Sequence, residues 1–262
     1  MIKKFSKDAG VTLVEILIGI VISVLMMAAV FTSYNAVNNS YSQVIDKAKI
    51  SQTGRDIIGM LVRDIRIAGF KYFDDVSKSP SDYVPILITK NSGGCDKIQL
   101  MYGDRTKLKT TPVTYSFVTY KVTYECKASK IVNKKTGSKI GAYAIYKSRE
   151  KWNGTAWQQA STSIDDFLYK DELVVDHVQD LIFNPVDEKG KLIDPVPTDL
   201  SGSNKIKVID IAFSIRSQGE FYRNNKPKTL YSLGKKKNNS FNDKYLRDNI
   251  VVSAHTRNMG LE

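Results

Sequence analysis

Residues 11–31 read VTLVEILIGIVISVLMMAAVF, and their composition decides how the chain is organised. Only Thr12, Glu15 and Ser23 are polar in this stretch. An α-helix of this length spans roughly 30 Å, which matches the hydrocarbon core of a bilayer. The stretch therefore predicts a transmembrane helix, which we place at residues 11–34.

The segment before this helix, residues 1–10, reads MIKKFSKDAG and is short and basic. Because positive charge stays on the cytoplasmic side of a membrane, we expect the N-terminus in the cytoplasm and the C-terminal part in the periplasm or outside the cell. A secretory signal places small residues at a cleavage site after its apolar run, and none stands out here. A glycine, Gly10, precedes the run instead. We interpret residues 1–10 as a leader that is removed while the helix is kept.

Glu15 is out of place in an ordinary membrane anchor, because a lone carboxylate in hydrocarbon costs several kcal/mol. Cleavage after Gly10 would give Val11 a free α-amino group at the same end of the helix. A carboxylate in the first turn also complements the helix dipole. We hypothesise that, in a helical assembly, Glu15 of one subunit pairs with the Val11 amine of a neighbour.

The basic leader, Gly10 and the sequence VTLVEILIGI that follows resemble the class III signal of type IV pilins and type II secretion pseudopilins. In those families a prepilin peptidase cuts after the glycine and N-methylates the new first residue. The resemblance implies that Gly10 and Val11 form the processing site, with Val11 where phenylalanine is commonest. The alternative is an unprocessed single-pass anchor in which Glu15 has no such role.

Later segments resemble the PilW-like minor pilins of the same superfamily. The sequence GRDIIGMLVRDIRIAGF, at 54–70, resembles the end of their N-terminal helix, and ELVVDHVQDLIFN, at 172–184, resembles a later segment. Residues 208–217 and 249–261 resemble their last strands less specifically. This resemblance implies an α+β pilin-like fold, with a long N-terminal helix packed on an antiparallel β-sheet domain. The type II secretion pseudopilin of the J type is the nearest competitor.

A minor pilin of this kind is expected in the inner membrane before assembly, and then in the pilus, near its tip. The resemblance implies that it takes part in priming pilus assembly. Its expected partners are the prepilin peptidase, other minor pilins, the major pilin, the inner-membrane assembly platform and, before assembly, the lipid bilayer. No cofactor is expected.

Beyond the membrane segment, apolar residues recur at spacings of three and four, which predicts an amphipathic helix lying on a sheet. We place this continuation at residues 35–70. Its charged residues, including Arg63 and Asp64, fall mostly between the apolar ones, and Gly69 is expected as its C-cap. The apolar positions are Ile50, Gly54, Ile57, Ile58, Leu61, Ile65 and Ala68.

Residues 71–262 read as short strands and turns, and predict a globular domain built on an antiparallel sheet. Two β-rich runs, at 96–103 and 113–125, predict a hairpin centred on Thr110–Thr111. In the register we predict, Gln99 faces Val122.

That register also places Cys95 opposite Cys126, which favours a disulfide across the open end of the hairpin. The alternative is two free thiols.

Two further turns are predicted, at Trp152–Thr155, with Trp152 and Trp157 diagonal on one face, and at Asp187–Gly190. Later strands are expected at 205–216 and 250–255.

Signals for catalysis and metal binding are weak. Two cysteines are too few for a multi-thiolate zinc site, and His177 and His255 are isolated from any recognisable nucleophile or metal motif. The acidic pairs at 74–75 and 165–166 lack EF-hand spacing. We predict neither an enzyme nor a metal site.

Lysine and arginine total 39 against 27 acidic residues, a formal net charge of +12. An alternative interpretation makes the chain an anchored DNA-binding or adhesive module with a basic patch at Lys235, Lys236 and Lys237, near Lys226 and Lys228. Aromatic residues are sparse among these lysines, and lysine runs in loops are usually solvated. Nucleic-acid binding is therefore the weaker interpretation.

Overall fold

The computed structural model describes residues 11–71, 80–107, 115–132, 137–159, 168–232 and 235–259, without the side chains at 106–107, 115–116 and 230–240. The chain divides into two compact units, Met1–Asp46 and Lys47–Glu262.

Helix α1 runs over Leu13–Ile67, 55 residues, so the predicted long N-terminal helix is confirmed. Gly69 ends it as expected. Its φ is +80°, and its N–H donates to the carbonyl of Met101 at 2.8 Å. A Cβ at this position would lie 2.9 Å from the carbonyl oxygen of Asn258. The helix therefore stops where only glycine fits both the backbone angle and the space.

The first unit contains the part of α1 that precedes Lys47. By length and composition, α1 is long and apolar enough to cross a membrane, with a mean hydropathy of 2.7 in its most apolar window. None of that window is buried in the structure.

The second unit is built on an antiparallel sheet in the order β1-β2-β3-β4-β6-β7-β10, with β5 paired to β4. Strands β8 and β9 form a separate two-stranded sheet. A short helix, α2, lies between β6 and β7. The architecture confirms the predicted α+β fold. The bounds are β1 Ile86–Thr89, β2 Lys97–Lys107, β3 Tyr115–Ala128, β4 Tyr143–Trp152, β5 Trp157–Gln158, β6 Tyr169–Val186, α2 Leu200–Asn204, β7 Val208–Arg216, β8 Lys226–Ser232, β9 Lys235–Asp243 and β10 Arg247–His255.

The core lies between the second half of α1 and one face of the sheet. All seven positions predicted from the helical spacing are buried. All of them except Gly54 join one apolar cluster with sheet residues such as Leu100, Tyr124 and Phe213. Each large apolar side chain buried in this way contributes roughly 1.5–3 kcal/mol, so this contact is what holds the helix on the sheet.

The predicted register of the β2–β3 hairpin is wrong by one residue. Gln99 pairs with Thr123, not Val122, and Leu100 pairs with Val122. Side chains alternate between the two faces of a strand, so a shift of one residue moves every side chain to the other face. The observed register brings buried Leu100 and buried Val122 to the same face, towards α1, whereas the predicted one would have set Leu100 against Lys121.

Both predicted turns are present. Trp152 and Trp157 pair directly across the β4–β5 turn, with ring centroids 5.3 Å apart, so their predicted diagonal placement is wrong. At the second turn the Asp187 side chain accepts hydrogen bonds from the backbone N–H groups of Lys189 and Lys191, and Gly190 has a φ of +77°.

Candidate assembly site

The start of α1 is organised by reciprocal hydrogen bonds between Thr12 and Glu15. Oε2 of Glu15 accepts from the backbone N–H of Thr12 at 2.8 Å and from its hydroxyl at 2.9 Å. The N–H of Glu15 donates to the Thr12 hydroxyl oxygen at 3.3 Å. This is a capping box, which satisfies two backbone donors that a helix start leaves unpaired. Glu15 therefore has a structural role in its own chain.

Sequence reasoning missed this role, although its signal was present. The spacing T-x-x-E, at Thr12 to Glu15, is the sequence pattern of a capping box. From sequence, the carboxylate is interpreted through the helix dipole and a neighbouring subunit, without a cap. The two roles are compatible, because the cap holds the carboxylate at the helix end where the dipole favours a negative charge.

The processing site is only partly described. Val11 lies in the structure and is exposed, whereas Gly10 is outside the described residues. The pairing of Glu15 with a neighbour's Val11 amine involves a second chain. Cleavage, methylation and that pairing all stay predictions.

Large apolar side chains cover the helix from Val11 to Phe31 on all sides. Each of them is exposed, by 47–80% of its area. Apolar surface of this extent must be buried by lipid or by other helices, because a protein that exposes it to water aggregates. The segment therefore has the properties of an assembly or membrane surface.

Asp64 lies on the buried side of α1, and its predicted place among the outer charged residues is wrong. Its Oδ2 accepts a hydrogen bond from the Tyr124 hydroxyl at 2.6 Å and lies 2.7 Å from Nζ of Lys147, which is also buried. Burial, and then the charge of Asp64, raise the pKa of Tyr124 above its ordinary value, so that its hydroxyl stays protonated and able to donate.

This buried cluster connects α1 to β3, through Tyr124, and to β4, through Lys147. A buried ion pair adds little net stability, because desolvating both charges offsets most of their attraction. Its geometric requirement is strict, however, since a shifted helix would leave a charge buried without a partner. We infer that Asp64 fixes the position of α1 on the sheet.

A polar pocket of about 250 Å³ lies beside Asp64, with Arg63, Arg149, Tyr102 and Tyr169 among its lining residues. Burial raises the pKa of Tyr102 and that of Tyr169 to about 12, so both phenols stay neutral. The Arg149 guanidinium stacks 4.1 Å from the centre of the Tyr120 ring. The arrangement is a set of structural contacts around the end of α1.

Cys95 and Cys126 form a disulfide, with Cα atoms 5.8 Å apart. The predicted pairing is confirmed, although the register that suggested it was off by one. Cys95 precedes β2 and forms an isolated backbone bridge with Leu181 of β6. The sheet therefore curls so that the start of β2 meets β6 as well as β3, and the disulfide stabilises this closure.

Asp96, next to Cys95, is a second buried carboxylate that sequence reasoning missed. It accepts hydrogen bonds from Nζ of Lys90 at 2.9 Å and from the backbone N–H groups of Asn91 and Phe183 at 3.1 and 3.0 Å. Lys90 also donates to the carbonyl of Phe183. These bonds join the β1–β2 connection to β6, beside the disulfide.

The predicted basic patch lies at the start of β9. Strand β9 begins at Lys235, which pairs with Ser232, and the side chains of Lys235, Lys236 and Lys237 lie outside the described part of the chain. The nearby Lys228 donates from Nζ to the carbonyl of Arg247 at 2.6 Å, so it makes a structural contact. Nucleic-acid binding by the patch stays a prediction.

His177 is buried in β6 with a φ of 63°, and its Nδ1 lacks a hydrogen-bond partner among the described residues. Burial lowers the pKa of this imidazole. His255 is exposed on β10. Within the described residues, histidine, cysteine and acidic side chains form no group of three that could hold a metal ion. The acidic pairs at 74–75 and 165–166 fall outside those residues.

Comparison with known proteins identifies the N-terminal segment. Residues 5–31 match the family described as Prokaryotic N-terminal methylation motif. No curated protein matches the chain. A type IV-like pilin, TTHA1219 from Thermus thermophilus, is similar in structure, with 13% identity, coverage of 80% of this chain and 96% of that chain, and a TM-score of 0.48. A likeness at this TM-score carries no weight for fold or function.

The methylation motif covers Gly10, Thr12, Leu13 and Glu15, which carry the resemblance to the class III signal, and also Val11, which departs from its commonest residue. The motif includes the start of α1, a long helix whose second half packs on a curled antiparallel sheet. Both features agree with what the resemblance to type IV pilins implies.

Proposed function

We propose that the chain is a minor pilin that takes part in priming type IV pilus assembly, in a complex at the pilus tip. The peptidase removes the leader after Gly10 and methylates the amine of Val11. The observation that carries the proposal is the methylation motif at residues 5–31, together with the exposure of every large apolar side chain from Val11 to Phe31.

In this mechanism the apolar half of α1 holds the subunit in the inner membrane until the leader is removed. The lysines of the leader keep the N-terminus in the cytoplasm, and the sheet unit lies in the periplasm. The disulfide supports this location, because disulfides persist in oxidising compartments.

Assembly then moves α1 from lipid into a bundle of neighbouring helices. Lipid tails are as apolar as leucine side chains, so the hydrophobic effect contributes little to this transfer. Packing and polar contacts must favour the bundle instead. An ion pair between Glu15 and the Val11 amine of an adjacent subunit supplies such a contact, and sets the axial register.

The partners are the prepilin peptidase, the other minor pilins, the major pilin and the assembly platform of the inner membrane. The resemblance of residues 54–70 and 172–184 to the PilW-like family supports the priming role. Loops on a large globular domain are easier to accommodate at a tip than along a packed shaft, which supports the tip position.

Deletion of the gene tests the proposal. We expect the number of surface pili to fall sharply, type II secretion to continue, and the full-length chain to restore piliation. Immunogold labelling of restored pili should mark their ends. Loss of secretion with normal pili would contradict the proposal and favour a type II secretion pseudopilin. If neither piliation nor secretion changed, both interpretations would be contradicted.

A further inference from the structure

Between the apolar stretch and Lys47, α1 has a second, narrower apolar feature. Tyr34, Val37, Tyr41 and Val44 follow one another at spacings of three, four and three residues, and each is exposed by 65–68% of its area. Spacings of three and four place side chains along one face of a helix. We call these four residues the seam.

The positions around the seam are mostly polar and uncharged. Of the residues at 32–45, only Ala36 and Ile45 are apolar outside the seam, and the remaining side chains are hydroxyls and amides. A helix surrounded by lipid is apolar on all sides, whereas the helix at residues 32–45 is apolar along a single stripe. An alternation of three and four is the repeat by which one helix packs against another.

The same repeat continues into the membrane segment. Val30 and Met27 precede Tyr34 by four and seven residues, and both are exposed. A helix that packs along the seam therefore has a continuous path from the membrane segment to Val44.

Charge and depth in the membrane together indicate which helix packs along the seam. In a parallel pair, Ser33, Asn38, Ser40 and Ile45 flank the seam, and none of them carries a charge that would repel an identical chain. Two copies of one chain are held at the same depth by the same apolar stretch. Their seams therefore meet in parallel and in register, without a search for alignment.

We propose that two copies of this chain pair side by side through the seam while the membrane holds them, before assembly. The proposal rests on the anchored state described under the proposed function. The seam occupies about three helical turns, which is a short contact surface for two helices that are free in solution. The pair forms because the membrane confines both copies and orients them, which raises their effective concentration.

Cysteine cross-linking of the full-length chain in membranes, with the chain expressed without other pilins, tests this directly. Val37→Cys and Val44→Cys place a thiol on the seam, and Asn39→Cys and Ser42→Cys place one at similar depths on the other side of the helix. The native cysteines are joined to each other, so the unsubstituted chain serves as the background.

After mild oxidation we expect the two seam variants to form a covalent dimer of twice the chain mass, with a yield several-fold above that of the two control variants. Equal yields from both faces, or no dimer from the seam, would overturn the proposal. A seam-specific product of another mass would also overturn it, because the occupant would then be a different chain. Since the uncleaved precursor suffices for this experiment, its result is independent of whether Gly10 is a processing site.

Discussion

At the scale of single residues, Glu15 has a local role in the capping box and, in the proposed assembly, an intermolecular one. Glu15→Gln separates them, because glutamine still accepts the hydrogen bonds of a capping box but carries no charge. We expect Glu15→Gln to insert into the membrane normally and to enter sheared pili as poorly as Glu15→Ala. Quantitative immunoblotting of pilus and membrane fractions measures both.

Thr12→Ala is the matched control, since it removes the cap and keeps the carboxylate. It should weaken the helix start by about 1 kcal/mol and leave incorporation largely intact. Normal incorporation of Glu15→Gln, with a defect in Thr12→Ala, would show that the cap matters and that the charge does not.

The buried cluster at Asp64 makes a second prediction at this scale. Lys147→Met leaves the Asp64 carboxylate without its cation, and should lower the free energy of unfolding by roughly 3–5 kcal/mol. Adding Asp64→Asn removes the charge while keeping an acceptor for the Tyr124 hydroxyl, so the double variant should recover much of the loss. Chemical unfolding of the full chain in detergent measures these values.

Arg63→Ala serves as the comparison, because the Arg63 side chain is mostly exposed although it contacts Asp64 at 3.4 Å. It should change stability by less than about 0.5 kcal/mol. A single Lys147→Met variant as stable as the parent would contradict the assigned role of the cluster.

Some of these residues were predictable and others were not. Glu15 stood out because its neighbours are all apolar. Asp64 did not, because an acidic residue between apolar ones is read as solvent-facing unless its partners are known. Those partners, Tyr124 and Lys147, lie on strands far along the chain, and helical spacing carries no information about them.

At the scale of elements, a glycine within the sheet-packed part of α1 and one just past its end should respond differently to an added methyl group. Gly69→Ala should lower stability by roughly 1–3 kcal/mol, because its φ is +80° and the backbone of Asn258 occupies the space of a Cβ. Gly59 is exposed with open space around it, so Gly59→Ala should raise stability by about 0.5–1 kcal/mol. Opposite signs in thermal unfolding are the expected result, and equal effects would contradict this account of where α1 ends.

The disulfide makes a second prediction for the sheet. It closes a segment of 31 residues, and replacing both cysteines by serine should cost roughly 3–4 kcal/mol of stability by loop-closure entropy. Reduction of the parent chain should shift its urea unfolding midpoint in the same direction. An unchanged midpoint under reducing conditions would mean that the closure of β2 on β3 and β6 is maintained without the bond.

The sheet-packed part of α1 was predictable in detail because the residues on one face of a helix recur with a fixed period. All its predicted apolar positions are buried. The predicted β2–β3 register was wrong by one residue because the sequence at 108–114 does not specify a turn type, and register depends on turn geometry. The curl of the sheet, in which the segment at Cys95 meets β6, depends on contacts between distant strands. Sequence patterns of single strands do not specify such contacts.

At the scale of the whole molecule, the chain divides its tasks between two units. The unit up to Asp46 exposes nearly all its apolar side chains, and the unit from Lys47 buries its own in a conventional core. In a helix that only anchors a chain in lipid, the capping box alone would account for Glu15, whereas the proposed assembly also uses its charge. The proposed function, a subunit that leaves the membrane to join other helices, accounts for this combination.

The mass of the mature N-terminus is the most direct test of this account. The full-length chain should be produced in cells with and without prepilin peptidase, and its N-terminal peptide analysed by mass spectrometry. We expect a chain that begins at methylated Val11 only when the peptidase is present. A chain that still begins at Met1 in the presence of the peptidase, or one cut beyond Phe31, would contradict the account, because Glu15 would then have no amine to pair with.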